Sequence, residues 1–253
     1  MQKYFRHARH ALVVSTTFAI TLVGFLGAAA LDPTAAAADP GPIVQRAAGT
    51  VTADALPTVQ IDGVVWDQQI LRNTVYAGGE FANARPAGAA AGTNLTRRAN
   101  LLAYDIRTGV LISSFAPVLN AQVKTLALSP DGTRLYAGGS FTTVNGINRY
   151  RIAAFDTATG ALVSSFAPVL NSAVSAIAVT NDAVYVGGAF NKAGSVDRMR
   201  LAAFSPATGA LLGWAPTANS GVNALLVSPD KSRVLAAGSF GTAWFHSGTT
   251  PWP

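Results

Sequence analysis

Three short motifs recur along this sequence in a fixed order and at nearly constant spacing. A glycine doublet appears as Tyr76-Ala77-Gly78-Gly79, Tyr136-Ala137-Gly138-Gly139 and Tyr185-Val186-Gly187-Gly188, with a degenerate fourth copy at Leu235-Ala236-Ala237-Gly238. Thr-Gly follows at Thr108-Gly109, Thr159-Gly160 and Thr208-Gly209. An aromatic-Ala-Pro comes next, at Phe115-Ala116-Pro117, Phe166-Ala167-Pro168 and Trp214-Ala215-Pro216. Thr-Gly recurs after 51 and then 49 residues. Self-similarity at such a period means an array of like units, each too small to bury its apolar face alone and stacked on its neighbours to do so. In repeat one 30 residues separate Gly79 from Gly109, against 21 in the next two copies. The surplus falls in the Ala-, Gly- and Pro-rich stretch 84–98, a predicted loop insertion.

Within a repeat, turn chemistry cuts the chain into four strand-like runs. In the second copy they cover 123–129, 134–141, 151–156 and 161–166. Ser129-Pro130-Asp131-Gly132 is a strong β-turn signal after the first, and Asn145-Gly146 is a hairpin dipeptide after the second. The first runs read VKTLALS, VSAIAVT and VNALLVS, apolar at successive positions rather than alternating, which predicts burial on both faces. Four short strands per repeat, with no helical period, predict an all-β chain: a β-propeller of four-stranded blades. The glycine doublet then serves close backbone approach, or positive φ, where the second strand leaves the blade. A phosphate-cradling role is excluded, because neither the lysine nor the helix that such a loop needs follows it.

The segment YAGGSFTTVNGINRYRIAAFDTATGALVSSFAPVLNSAVSAIAV resembles the delta-sixty type of β-propeller repeat, found in secreted, often multidomain bacterial proteins of no assigned activity. It is also similar to kelch repeats in period, in the doublet after strand two and in the aromatic-Asp of strand three. Kelch's second signature tryptophan has a counterpart only at Trp214. The resemblance covers about Thr58 to Phe240 and implies a binding or surface-display module rather than an enzyme. The chain departs from the pattern in its number of repeats. Full copies span 58–119, 120–170 and 171–218, a partial fourth spans 219–240, and the tail 241–253 matches nothing in earlier copies. About three and a half blades fall short of the roughly four to eight of closed rings. The expectation is an incomplete propeller with open edges, either a truncated member of its family or a half-ring completed by a second chain.

Ahead of the repeats, Lys3, Arg6 and Arg9 precede an uncharged run from Ala11 to Leu31 and an Ala36-x-Ala38 ending. Those are the three parts of a secretory signal peptide, predicted over 1–38 and followed by a linker over 39–57. Ser15, Thr16, Thr17 and Thr21 inside the run, and the small-residue cleavage site after it, argue against an uncleaved anchor. The expected location is therefore extracellular, with membrane contact only before cleavage. Cleavage removes three of 18 basic and one of 12 acidic residues, leaving 15 against 11, a net charge of +4. These charges are dispersed rather than clustered, so no nucleic-acid partner is expected. The chain has no cysteine, which excludes disulfides, thiolate metal sites and a cysteine nucleophile. Charged residues are only 12% against 50% hydrophobic, which excludes a charge-solvated disordered chain.

Beyond residue 38 the chain holds one histidine, His246, and one glutamate, Glu80. A Ser-His-Asp triad would have to draw on His246 in the tail. Asp105, Asp131, Asp156, Asp182 and Asp230 recur in step with turns and strand ends, as turn-fixing residues do, rather than as a converging carboxylate pair. No acidic run has the alternating spacing of a calcium loop. No catalytic, cofactor-binding or metal-binding residue is expected. Asn120, Asn171 and Asn219, in the connections between repeats, are predicted to fix their own turns.

Arginine is the most suggestive set. Arg98, Arg149 and Arg198 share one repeat position, and Arg151 and Arg200 share another, where repeat one has Asn100. Equivalent positions fall on one face of successive blades, so these five could form a basic rim for an anionic envelope polymer. The competing reading pairs each with an aspartate such as Asp105 or Asp156, or leaves it solvating a loop. Together these features point to a non-catalytic extracellular binding or scaffold module for a polysaccharide or protein ligand, able to self-associate through open blade edges. The alternative is a fragment of an exported propeller-type carbohydrate-active or quinoprotein-like enzyme.

Overall fold

The computed structural model describes residues 57–244. The expected signal peptide (1–38), the linker (39–57) up to its last residue, and the tail beyond Trp244 with His246 lie outside the described residues. In repeat one the strands are β1 (Gln60–Ile61), β2 (Val64–Leu71), β3 (Thr74–Glu80), β4 (Asn83–Arg85), β5 (Thr96–Arg97) and β6 (Leu101–Asp105). Repeat two holds β7 (Val123–Leu128), β8 (Arg134–Gly139), β9 (Thr143–Val144), β10 (Ile147–Asn148) and β11 (Ile152–Asp156). Repeat three holds β12 (Val174–Val179), β13 (Val184–Gly188), β14 (Lys192–Ala193), β15 (Val196–Asp197) and β16 (Leu201–Phe204). β17 (Thr217–Ala218) ends repeat three, β18 (Val222–Val227) and β19 (Val234–Gly238) lie in the partial fourth, and β20 (Ala243–Trp244) follows it.

The main sheets are antiparallel, in the orders β2-β3-β6, β7-β8-β11, β12-β13-β16 and β18-β19. Each first strand packs against the first strand of the next sheet: β2 on β7, β7 on β12, β12 on β18. The fold is all-β, a series of small antiparallel sheets resembling propeller blades. Each full sheet has three strands, not the four expected. The fourth run, 161–166, meets β11 at a single bridge, Phe155 opposite Leu162, as Leu111 meets Tyr104 and Leu211 meets Phe204. Pairing stops there because the chain turns at Ser164–Ser165, where the Phe166 N–H donates to Val163 O (3.3 Å), and carries Phe166 into the core, where it is fully buried.

Apolar clusters fill the joints between sheets. The first joint sets Tyr76, Leu101 and Ala103 of sheet one against Val123, Leu126, Leu135 and Phe155 of sheet two. The second sets Tyr136, Ile152 and Ala154 against Val174, Ile177, Val184 and Phe204. Two of the sequence motifs meet here, since the tyrosine before each glycine doublet packs edge-on against the aromatic of the following Ala-Pro. The ring centroids lie 5.0 Å apart for Tyr76–Phe115, 5.1 Å for Tyr136–Phe166 and 5.0 Å for Tyr185–Trp214. Such pairs contribute about 0.5–1.5 kcal/mol beyond the area they bury.

Close approach, not positive φ, explains the doublet. A Cβ on Gly138 would lie 2.6 Å from Val174 Cγ1 and 3.0 Å from Ile177 Cδ1 of the next sheet. Gly78 and Gly187 face Val123 and Val222 at 2.6 and 2.5 Å in the same way. Positive φ belongs instead to the Thr-Gly turns, at 66° for Gly109, 74° for Gly160 and 69° for Gly209.

The interrepeat asparagines do not fix their own turns, as the sequence reading expected. Asn120 Oδ1 accepts from the backbone N–H of Thr142 (2.8 Å) and Thr143 (3.0 Å), so it ties the entry of one sheet to the exit of its second strand. Asn171 holds Asn191 and Lys192 likewise, and Asp62 holds Ala82 and Asn83. Asn219 accepts from Gly241 and Thr242, and β20 pairs with β17 as β4 pairs with β1. The repeat pattern thus runs on to Trp244, four residues past the expected limit at 240. Glycine and tryptophan there hid a match that is made by backbone.

Gly138→Ala should lower stability by about 1–3 kcal/mol, since the added methyl must displace Val174 and Ile177. Urea denaturation followed by circular dichroism would show it as a lower midpoint at unchanged slope.

Candidate functional site

The five arginines lie beside the third strands and bond to backbone. Arg98, Arg149 and Arg198 each donate from Nη1 to the carbonyl of the preceding residue, at 2.9, 2.8 and 2.9 Å. Nη2 of Arg149 and Arg198 reaches Ser164 O (3.4 Å) and Leu212 O (3.3 Å), in the run leaving each sheet. Arg98 and Arg149 are only 8% exposed. Burial pushes the Arg98 guanidinium below its ordinary pKa. Arg151 and Arg200 adopt positive φ, 77° and 73°, as Asn100 does at 68°. Their Nη1 atoms donate to the carbonyls of Ser140 and Ala189, just past the glycine doublets. None of the five pairs with Asp105 or Asp156. Among the described residues the ion pairs are Arg107–Asp105 (2.8 Å) and Lys192–Asp197 (2.6 Å). All five keep a buried Nε without a hydrogen-bond partner. Each sheet therefore holds its own arginines against its own backbone.

A second set of residues converges where sequence reading named none. Every first strand carries one extra residue between its second and third ladder pairs, or between its first and second: Trp66 in β2, Lys124 in β7, Ser175 in β12 and Asn223 in β18. A bulge re-aims the side chain it inserts. These four, with Asp67, line one shared cavity of about 360 Å³ along the row of first strands. Asp67 Oδ2 accepts from the Leu126 N–H at 2.7 Å and so links sheets one and two. The legible signal was a position that varies among tryptophan, lysine, serine and asparagine inside an otherwise apolar motif.

The third feature is a cleft of about 460 Å³ between sheets two and three, at the ends that carry the β7–β8 and β12–β13 turns. Its walls include Ser129, Asp131, Arg134, Tyr136, Asn181 and Asp182. Tyr136 is fully buried, yet its hydroxyl has no hydrogen-bond partner. In sheet one the equivalent Tyr76 hydroxyl donates to Thr157 O at 3.4 Å. In sheet two Arg134 intervenes and donates from Nη1 to Pro206 O. Burial pushes the Tyr136 phenol up, and the neighbouring Arg134 guanidinium opposes part of that shift. Hydrogen bonds from Ser129 and Thr133 hold Asp131 down at about 2. Among the described residues no three His, Asp or Glu gather into a group that could hold a metal ion.

No protein-family model and no curated protein matches the chain. Among solved structures it is similar to the computationally designed Ika4 protein, at 16% identity and a TM-score of 0.51, over 77% of this chain and 99% of that one. At that identity the likeness concerns the fold alone. The WD40 repeats of RRP9 and the U3-55K structure align more weakly, at 12% and 11% identity and a TM-score of 0.44 each, over 68% and 66% of this chain. The chain spans 46% and 45% of their lengths, and these likenesses are too slight to carry weight.

Two outcomes follow from the electrostatics. Tyr136→Phe should leave the protein as stable or stabilise it by about 1 kcal/mol, because a buried hydroxyl without a partner costs about that much; urea midpoints measure it. Asp105, Asp131 and Asp230 titrate at about 2 in the folded chain. Depressed carboxylates contribute stability above their unfolded pKa of about 3.9 and lose it as pH falls towards the folded value. The melting midpoint should stay level from about pH 7 to 5 and fall between about pH 4 and 2.

Proposed function

We propose that this chain is a non-catalytic binding module of an exported bacterial β-propeller of the delta-sixty, kelch-like type, its described sheets forming an incomplete ring. Its ligand is a polysaccharide, or a protein presenting similar polar chemistry. The observation that carries this reading is the cleft between sheets two and three, whose walls bring Arg134, Asp131, Asn181 and Asp182 together. A saccharide unit supplies both donors and acceptors at close spacing, which suits walls that mix a phenol, a guanidinium, an amide and carboxylates. The Asp182 carboxylate and Asn181 amide stand at the rim to fix its orientation.

Binding of neutral and anionic oligosaccharides by isothermal titration calorimetry tests the reading. Asp182→Ala should weaken a neutral ligand about tenfold, the worth of one good hydrogen bond, with folding unchanged. Equal affinity in wild type and variant would remove the cleft as the site. An anionic ligand lost on Arg149→Ala with Arg198→Ala, with folding intact, would move the site to Arg98, Arg149, Arg151, Arg198 and Arg200.

A further inference from the structure

We propose that the bulge row is a second binding site, which takes an acidic sugar: a sugar ring that carries a carboxylate. It stands apart from the cleft between sheets two and three, because the two share no lining residue. Trp66, Lys124, Ser175 and Asn223 each follow a valine at the same step of a first strand, and none has a partner in its ladder. A bulge lifts such a side chain out of the alternation of its strand. The backbone therefore makes the same demand at all four positions and is met by four different chemistries. An indole, an ammonium, a hydroxyl and an amide converge on a cavity of about 360 Å³. That volume falls within the roughly 300–1,000 Å³ of small-molecule sites.

The charges in the wall select the ligand. Lys124 is half-buried, and among the described residues its ammonium makes neither an ion pair nor a hydrogen bond. The other charged residue of the wall, Asp67, is engaged, since its Oδ2 accepts from the Leu126 N–H at 2.7 Å. One unengaged positive charge calls for an anionic group opposite it. Trp66 is 54% exposed and presents a broad apolar surface in the same wall. Ser175 and Asn223 both donate and accept hydrogen bonds. A uronic acid answers all three demands on one ring, with a C–H face for the indole, a carboxylate for the ammonium and hydroxyls for the polar pair. A small inorganic anion lacks the face, and a neutral sugar leaves the ammonium unpaired. A further cavity of about 290 Å³ shares Trp66, Lys124 and Ser175 and adds Gln122, so a second sugar unit has room to follow the first.

Calorimetric titration of the full chain with digalacturonate and with its methyl ester tests the proposal, because esterification removes only the charge. The acid should bind about tenfold more tightly than the ester. Lys124→Met should weaken the acid about tenfold and leave the ester unchanged, so the difference between them disappears. Trp66→Ala should weaken both forms, through the apolar area no longer covered. The change in tryptophan fluorescence on adding the acid should vanish in Trp66→Phe. Circular dichroism checks that each variant folds. Asp182→Ala should not alter the affinity for the acid, so the cleft and the bulge row stand or fall separately. No binding of the acid, equal binding of acid and ester, or a loss confined to Asp182→Ala or to Arg149→Ala with Arg198→Ala would each overturn the inference.

Discussion

Adjacent sheets in this protein approach so closely that a side chain is excluded at one point of every internal joint. Gly78, Gly138 and Gly187 each face a valine of the next first strand with no room for a Cβ. That contact sets the spacing of the series, and the rest of the fold is arranged around it. Large side chains pack to either side, with Tyr136 against Phe166 and Val174 against Ile177 in one cluster. The first strands inside the series, β7 and β12, are mostly buried, whereas β18 is largely exposed despite its apolar VNALLV, and β2 carries Asp67, Gln68 and Gln69. Where the rule lapses, at Ala237, the sheet's outer face is exposed.

Backbone polarity is handled by a second recurring device. Each connection carries an Asp or Asn whose side chain reaches some twenty residues ahead to two N–H groups, as Asn171 does to Asn191 and Lys192. The arginines beside each third strand play the complementary part. They supply donors to carbonyls that the short ladders leave over, such as Ser140 O and Ser164 O. Three-stranded sheets with ragged edges leave many such groups, and satisfying them by side chains costs less than leaving them buried and unpaired. A residue type that looks from the sequence like a charged rim is thereby engaged with the chain itself.

The repeats differ at two places, the bulge row and the joint between sheets two and three. A shared scaffold repeated several times offers equivalent positions, and only departures from equivalence can make a unique site. The bulge position gives one such row, Trp66, Lys124, Ser175 and Asn223. The joint between sheets two and three gives another, because Arg134 has no counterpart at Thr74 or Ala183 and leaves the Tyr136 hydroxyl without the acceptor that Tyr76 finds.

The array, its period, its all-β character and the turn residues were legible from the amino-acid order, because each rests on local chemistry: Asp131 and Gly132 make a turn in any context, and alternation or its absence reports burial. The insertion in repeat one was visible for the same reason. The loss of the fourth strand was not, since Leu162 and Phe166 read as strand formers and only the pull of the core on Phe166 ends the ladder early. The long-range asparagine clamps, the pairing of Ala243–Trp244 with Thr217–Ala218, and the choice of carbonyls over aspartates by the arginines were likewise decided in three dimensions. Each depends on which groups arrive beside one another after folding. A sequence states what a residue can bond to, and packing decides what it meets.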